Sequence, residues 1–295
     1  MLKHLISLLV LTITSCAQLP KQGSDEHFTF EKISELPISI NESSGLIVID
    51  GHLITHNDSG NMPILYQLDT TGIITDYVKY RYLSNHDWEA ITMSDRAIHI
   101  ADIGNNRGDR KDLKIYNIIK PAIWQEDIDI DISTITYAAQ TNFKRRNQRH
   151  SYDAEAIIVI NEVMYLFSKD WINYNTSIYT LPLYQDTSLN SHQVINTKGL
   201  VTDAAYNNKN TVLLCGYNQS LQPFVAQLNF NDDKFTLIKK VDLPIEGAQI
   251  EAIAYYGKDQ HGDDIYYLTS EAVNVQLGDD EAKVPGELYK LIWRE

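Results

Sequence analysis

The chain has 295 residues, 43% of them hydrophobic, and a formal net charge of -14. That acidity argues against nucleic acid as a general partner and gives no electrostatic reason to expect attraction to an anionic lipid surface. With 18 Tyr and no long helical periodicity, the composition fits a globular β-rich body.

At the N-terminus, Lys3 and His4 precede an apolar run over residues 5–13 that ends in Ile13-Thr14-Ser15-Cys16. A short positive region, an apolar core and small residues before a cleavage point describe an export signal, and the run is too short to span a bilayer. A cysteine directly after Thr-Ser resembles a bacterial lipoprotein signal. In that reading Cys16 carries the lipid anchor to the membrane; an ordinary signal with an incidental cysteine is the other reading. Ala17 rather than Asp follows, which by resemblance to known sorting rules directs the chain to the outer membrane, facing periplasm or surface. Residues 17–27 are polar at first, with Pro20 and Gly23, and suit a flexible tether. Cys215 is then the remaining cysteine, so no intrachain disulfide is available to the mature chain. Its apolar neighbours (Val212-Leu213-Leu214) predict a buried, inert thiol.

Five times after this an acidic or hydroxyl residue leads into a small residue, an apolar stretch and a second strand-like run. The copies begin at Ser44, Glu89, Glu155, Asp203 and Glu251, at intervals of roughly 40–50 residues with one longer gap. That period predicts an all-β propeller. Four short runs rich in β-branched and aromatic residues recur per copy, separated by Asn, Asp and Gly turns; in the third they fall at 155–160, 163–168, 177–183 and 192–197. The first run of each copy shows little polar alternation, as expected of an innermost strand buried on both faces.

The last copy supplies only three runs before the chain stops. Residues 28–38 (FTFEKISELPI) resemble residues 235–245 (FTLIKKVDLPI), the fourth run of the preceding copy. The N-terminal strand is therefore expected to complete the last blade and close the ring, removing an exposed edge. The prediction is a five-bladed β-propeller over residues 28–295, after a signal at 1–16 and a tether at 17–27. Six blades is the alternative.

In a four-stranded meander, the connection between blades and the connection from strand two to strand three lie on one face. That face would collect Ser44, Glu89, Glu155, Asp203 and Glu251 at the channel axis. Small residues (Gly45, Ala90, Ala156, Ala204, Ala252) follow each, because the axis leaves little room. Two positions upstream stand Glu42, Asp87 and Asp153; at the ends of second strands come Asn57, Asp58, Asp102, Ser168, Lys169, Ser270 and Glu271. Several carboxylates on one narrow axis raise each other's pKa, and Lys169 offers one positive charge. A hard divalent cation relieves the crowding, and Ca²⁺ tolerates an irregular oxygen set. The expected ligands are Ser44, Glu89, Glu155, Asp203 and Glu251; a water-filled acidic pore with partly protonated carboxyls is the competing picture. With no His or Cys in the ring, zinc is disfavoured.

The segment 102–109 (DIGNNRGD) fails the EF-hand pattern, since Gly104 stands where an oxygen ligand is required, and reads as a tight turn. The insertion before the third copy carries Lys144, Arg145, Arg146, Arg149 and His150, and the second copy adds Arg107. Together with Lys169 these basic residues are candidates for holding an anionic substrate beside a metal, against the reading of solvated loop charge. His86, His150, Asp87 and Asp153 are the candidate general bases, and His56 joins the same face. Trp88 is expected as a packing anchor, or as a stacking platform at the rim. No nucleophile elbow or phosphate-binding glycine loop occurs.

The run Glu42-Ser43-Ser44-Gly45-Leu46, then Gly51-His52-Leu53, Asn57-Asp58-Ser59-Gly60 and Leu65-Tyr66, resembles the first blade of calcium-activated nucleotidases (apyrases). Similar organisation occurs in SdiA-regulated and phytase-associated, esterase-like bacterial propellers. The resemblance covers the repeat skeleton, and the matched motifs are short. It implies a five- or six-bladed propeller with Ca²⁺ in the channel, held by Ser44, Glu89, Glu155, Asp203 and Glu251. The fourth copy departs with Asp203-Ala204 where three others have Glu-Ala.

Two functions follow as expectations. One is a cell-envelope propeller that binds a small anionic molecule or an envelope protein, with channel Ca²⁺ in a structural role. The other is a Ca²⁺-dependent hydrolase of phosphate or other anionic esters. Fold alone does not separate them.

Overall fold

The computed structural model describes residues 23–25, 27–245, 247–277 and 280–294. Five sheets, each built on four antiparallel strands, are arranged in a ring, and no α-helix occurs among the described residues. Blade one is Ser43–Ile49, His52–Asn57, Ile64–Leu68 and Ile74–Lys79. Blade two is Trp88–Met93, Ala97–Asp102, Lys114–Ile119 and Asp131–Tyr137. Blade three is Ala154–Ile160, Val163–Ser168, Thr176–Pro182 and Ser191–Ile195, and blade four is Leu200–Tyr206, Thr211–Tyr217, Pro223–Asn231 and Lys234–Asp242. Blade five takes Ile250–Lys258, Asp264–Ser270 and Glu287–Trp293 from the end of the chain and Phe28–Glu35 from its beginning.

The closure is antiparallel, pairing Phe28 with Trp293 and Glu35 with Glu287. Phe30 stacks on Tyr289 at 5.0 Å, which locks the seam with buried aromatic surface. Gly23–Asp25, within the segment expected as a tether, pairs against Phe28–Phe30 as a further edge strand. The export signal and Cys16 lie outside the described residues.

Each blade packs on the next through its own apolar seam, and there are five such seams. The seam between blades three and four joins Ile158 and Phe167 to Val212 and Phe224; the one between five and one joins Ala252 and Tyr267 to Leu46 and Leu53. Inner strands are consequently buried on both faces, as the all-buried Leu200–Ala205 shows. Cys215 is fully buried within the seam of blades four and five, and burial pushes its thiol up, out of the reactive range.

The longest interval between copies holds the fourth strand of blade two and a loop over residues 138–153. The loop folds back on blade two, with Arg146 N–H donating to Arg107 O at 2.8 Å and Gln148 N–H to Asn106 O at 2.7 Å. An extra strand, Thr187–Leu189, runs parallel to Asp131–Tyr137 and ties blade three to blade two. The sequence held no sign of that pairing.

Candidate functional site

The innermost strand of every blade carries a bulge near its start. In blades two, three and five the extra residue is Glu89, Glu155 and Glu251. A bulge inserts one residue without a partner and re-aims its side chain, so three carboxylates turn from the sheet face toward the axis. In blades one and four the bulged positions are Gly45 and Thr202. The repeats align on the bulge, one residue away from the alignment on polar residues at Ser44 and Asp203.

That one-residue offset decides where Ser44 and Asp203 point. Ser44 Oγ donates to Glu89 O at 2.8 Å and still borders the channel. Asp203 accepts backbone N–H bonds from Ala204 at 2.8 Å and from Ile253 at 2.9 Å, so it ties blade four to blade five. It is not among the residues lining the channel cavity. Gly45 has φ +71°, and a Cβ there would meet His56 Nε2 and Ile91 N at 2.8 Å, which leaves no room for an acidic side chain.

The second tier comes from the residues just past the second strands of blades one, three and five. Asp58 N–H bonds Glu42 O, Lys169 N–H bonds Asp153 O, and Glu271 N–H bonds Gln249 O. These equivalent bonds place Asp58, Lys169 and Glu271 at matching positions in their blades, next to the bulged residues Gly45, Glu155 and Glu251. Together they enclose a cavity of about 170 Å³ lined by Ser44, Asp58, Glu89, Glu155, Lys169, Glu251 and Glu271, with Asn106, Gln148, Trp171, Tyr217 and Gln249 completing the wall. A second cavity of about 400 Å³ lies against the first, since Asn106 borders both. Its wall includes His86, Asp87, Arg107, Asp109 and Arg110.

Between the cavities, one oxygen each from Asp58, Asp87 and Glu89 lies within 4.8 Å of the other two. Asp58 and Glu89 face the inner cavity and Asp87 the outer one. Glu89 is 4% exposed, and its Oε1 has no hydrogen-bond partner among the described residues. Gly104 sits directly behind: a Cβ there would fall 2.1 Å from Glu89 Oε1 and 2.5 Å from Asp87 Oδ2. Arg110 approaches Asp87 at 3.9 Å, but its guanidinium is hydrogen-bonded to Asp102, to Asp112 and to the Gly104 carbonyl.

The electrostatics follow from burial and mutual repulsion. Burial, then Asp87 and Glu271, pushes Asp58 up to about 8. Burial takes Asp87 to about 6, with Arg110 opposing. Glu89 is pushed well above the carboxylate range by burial and by Asp58 and Glu155. Glu251 rises to about 8 and Glu271 to about 7, burial dominating and Lys169 opposing in both. Lys169 Nζ lies 2.5 Å from both oxygens of Glu155 and over the rings of Trp171 (4.9 Å) and Tyr217 (5.2 Å). Burial works against its charge, but Glu155 holds its pKa well above the usual lysine value.

Several candidates from the sequence stand elsewhere or are already occupied. Asp153 accepts from Asn105 N–H and from Trp171 Nε1–H, both at 2.7 Å, and so positions the cavity wall. His150 is buried; its Nδ1 accepts from Tyr152 N–H at 3.1 Å and its Nε2 lies 3.3 Å from Asn106 O. It props the insertion. His86 is exposed and pairs with Asp112 at 3.0 Å. Burial pushes His56 down to about 4, and its ring meets Trp88 edge-on at 5.5 Å. Trp88 is fully buried and donates to Ser84 O, which makes it a packing anchor. Residues 102–109 form the expected turn, with Gly108 N–H bonding Asn105 O at 2.7 Å. Lys144, Arg145, Arg146 and Arg149 are not among the residues lining either cavity, whereas Arg107 borders the outer one and Lys169 the inner one.

Fold and site together define a five-bladed β-propeller with an acidic pocket at one end of its channel. No protein-family model matches the sequence, and no curated protein matches it. Among solved structures, the PQQ-bound aldose sugar dehydrogenase from Streptomyces coelicolor superposes with a TM-score of 0.52 at 9% identity, covering 93% of this chain and 99% of that one. A putative gluconolactonase gives 0.48 at 9% identity, over 90% and 91% of the two chains. A putative 6-phosphogluconolactonase from Bacteroides uniformis gives 0.41 at 12%, over 88% and 78%. At such identities the first likeness is one of fold, and the other two carry no argument.

Proposed function

We propose that this chain is a divalent-cation-dependent hydrolase of small anionic esters, with Asp58, Asp87 and Glu89 as the cation's ligands. The observation that carries the reading is the convergence of these three carboxylates at the boundary of two cavities, with Glu89 Oε1 buried and without a hydrogen-bond partner among the described residues. A buried acceptor without a partner calls for something to satisfy it, and a bound cation does so here. An all-oxygen donor set suits a hard cation, and Ca²⁺ is our choice. When bound, such an ion supplies Lewis-acid polarisation and a more acidic water.

The chain's own residues provide the rest. Arg107 and Arg110 border the outer cavity, where a phosphate or carboxylate group would find cationic donors. Glu251 and Glu271, near 8 and 7, exchange a proton close to neutral pH and so suit general acid–base work on a water in the inner cavity. The resemblance to calcium-activated nucleotidases makes nucleoside phosphates the first substrates to test. The signal sequence and Cys16 would hold the domain at the cell envelope, probed by radiolabelled lipid incorporation into the chain and its loss in Cys16→Ser.

A binding module with a structural cation is the second reading. It is favoured by His150 and Asp153, two of the proposed bases, being spent on scaffolding hydrogen bonds. Assaying the full chain in detergent on phosphoesters, nucleotides and carboxylic esters, with Ca²⁺ or chelator, separates the two. Turnover that needs the cation and disappears in Glu89→Gln supports the hydrolase. Cation binding without turnover on any of these leaves the binding module.

A further inference from the structure

Two loops meet at the rim of the cavities: residues 105–111 of blade two and residues 140–149 of the insertion. Three hydrogen bonds join them, from Arg146 N–H to Arg107 O at 2.8 Å, from Gln148 N–H to Asn106 O at 2.7 Å and from Gln140 Nε2–H to Gly108 O at 3.0 Å. The Lys111 ammonium adds a contact 4.6 Å from the centre of the Phe143 ring. Asn106 borders both cavities, Arg107 the outer one and Gln148 the inner one, so the joined loops are part of the pocket's edge. Their charge is one-sided. Arg107, Lys111, Lys144, Arg145, Arg146 and Arg149 face a single acid within the loops, Asp109, because Arg110 is already paired with Asp102 and Asp112. All but Arg146 are exposed, and none of the six makes an ion pair among the described residues. In a chain of net charge -14, cations left without carboxylates are free to meet an anion from solution.

We propose that the two loops form a cationic collar that draws small, multiply charged anions into the pocket, phosphate monoesters ahead of singly charged diesters. The proposal rests on the hydrolase reading above and names its substrate class. A patch of one sign beside a cleft concentrates ligands of the other, and the attraction grows with the ligand's charge. Arg149 adjoins Gln148 and Arg146 lies two residues before it, so at most about 7 Å of backbone separates either from the inner cavity's wall. That is within the screening length of about 8 Å at physiological ionic strength. Of the six side chains only Arg107 lines a cavity, so the collar acts on approach and leaves the reacting atoms alone.

The test is salt dependence. The full chain in detergent, with saturating Ca²⁺, is assayed on p-nitrophenyl phosphate and bis(p-nitrophenyl) phosphate over a range of KCl. Wild type is compared with a triple variant, Lys144→Gln, Arg145→Gln and Arg149→Gln, and with Arg145→Glu alone in case the triple variant does not fold. For the monoester, kcat/KM of the triple variant should be lower about tenfold at low salt. The loss should lie in KM with kcat unchanged, shrink for the diester, and vanish as salt screens the collar. Equal salt slopes in folded wild type and variants, or an equal loss on both esters, overturn the proposal and leave the hydrolase reading standing. No turnover of either ester overturns that reading, and this proposal with it.

Discussion

Gly104→Ala isolates the cation site from everything else in the channel. The added methyl would lie 2.1 Å from Glu89 Oε1 and 2.5 Å from the Asp87 carboxylate, where an ordinary contact begins near 3.4 Å. Both carboxylates must then retreat by roughly 1 Å, about twice the tolerance within which a functional constellation keeps its geometry. Gly104 does not have positive φ, so alanine fits its backbone conformation. Displacing ligands in this way is worth about 10–100-fold in affinity, or about 1.4–2.8 kcal/mol of binding free energy. The assay is Ca²⁺ calorimetry on wild type and variant, with circular dichroism melts in chelator to check folding. Equal Ca²⁺ affinities in two equally folded proteins would refute the assignment of Asp87 and Glu89 as ligands.

Glu89→Gln should weaken Ca²⁺ binding at least about tenfold while leaving the chelator-treated protein folded, since its carboxyl is already pushed toward the neutral form by burial. The ion-free protein should lose stability as pH rises. Asp87, Glu271, Asp58 and Glu251, near 6, 7, 8 and 8, all titrate above their unfolded values of about 4, so the native state holds extra protons between roughly pH 4 and 8. Melting temperature in chelator should fall steadily across that window, and Ca²⁺ affinity should rise with pH as the protons it displaces become easier to remove. A melting temperature that climbs from pH 5 to 8 in chelator would contradict this. At the ring seam, Phe30→Ala removes a side chain 1% exposed and should cost about 3–5 kcal/mol, a drop on the order of 10 °C in melting temperature.

The five-bladed fold was legible because its signals are periodic and long. Four runs per copy and the likeness of residues 28–38 to 235–245 point to both blade count and closure, and the structure pairs Phe28–Glu35 with the last strand, Glu287–Trp293, as that likeness requires. The site was legible only where chemistry and register coincide. Glu89, Glu155 and Glu251 each occupy a bulge, so the Glu-Ala repeats marked the channel acids. In blades one and four the bulged residue is Gly45 or Thr202, which carries no charge, and reading the neighbouring polar residue shifted the alignment by one. A shift of one residue turns a strand's side chain to the other face, and that is why Asp203 became a tie between blades. Asp58 and Glu271 did carry a signal: with Lys169 they immediately follow a second strand. Trp171, Tyr217, Gln148 and Gln249 carried none, because uncharged loop residues enter the wall through tertiary folding alone.

The arrangement also explains how so acidic a channel folds. Seven carboxylates line the two cavities, and hydrogen bonding among the described residues does not relieve them all, as Glu89 Oε1 shows. Stability must come from elsewhere, and the five apolar seams supply it at a distance from the axis, so the channel is free to remain electrostatically strained. Within the channel the strain is unequal. Lys169 pairs with Glu155 from inside the chain, whereas burial and mutual repulsion push the Asp58 and Glu89 carboxyls toward the protonated form. At the proposed cation site, binding would be coupled to proton release, because the Asp58 and Glu89 carboxyls would give up protons on becoming ligands. The number of protons released should therefore fall when Glu89 is replaced by Gln, and calorimetry in buffers of different ionisation enthalpy measures that number directly.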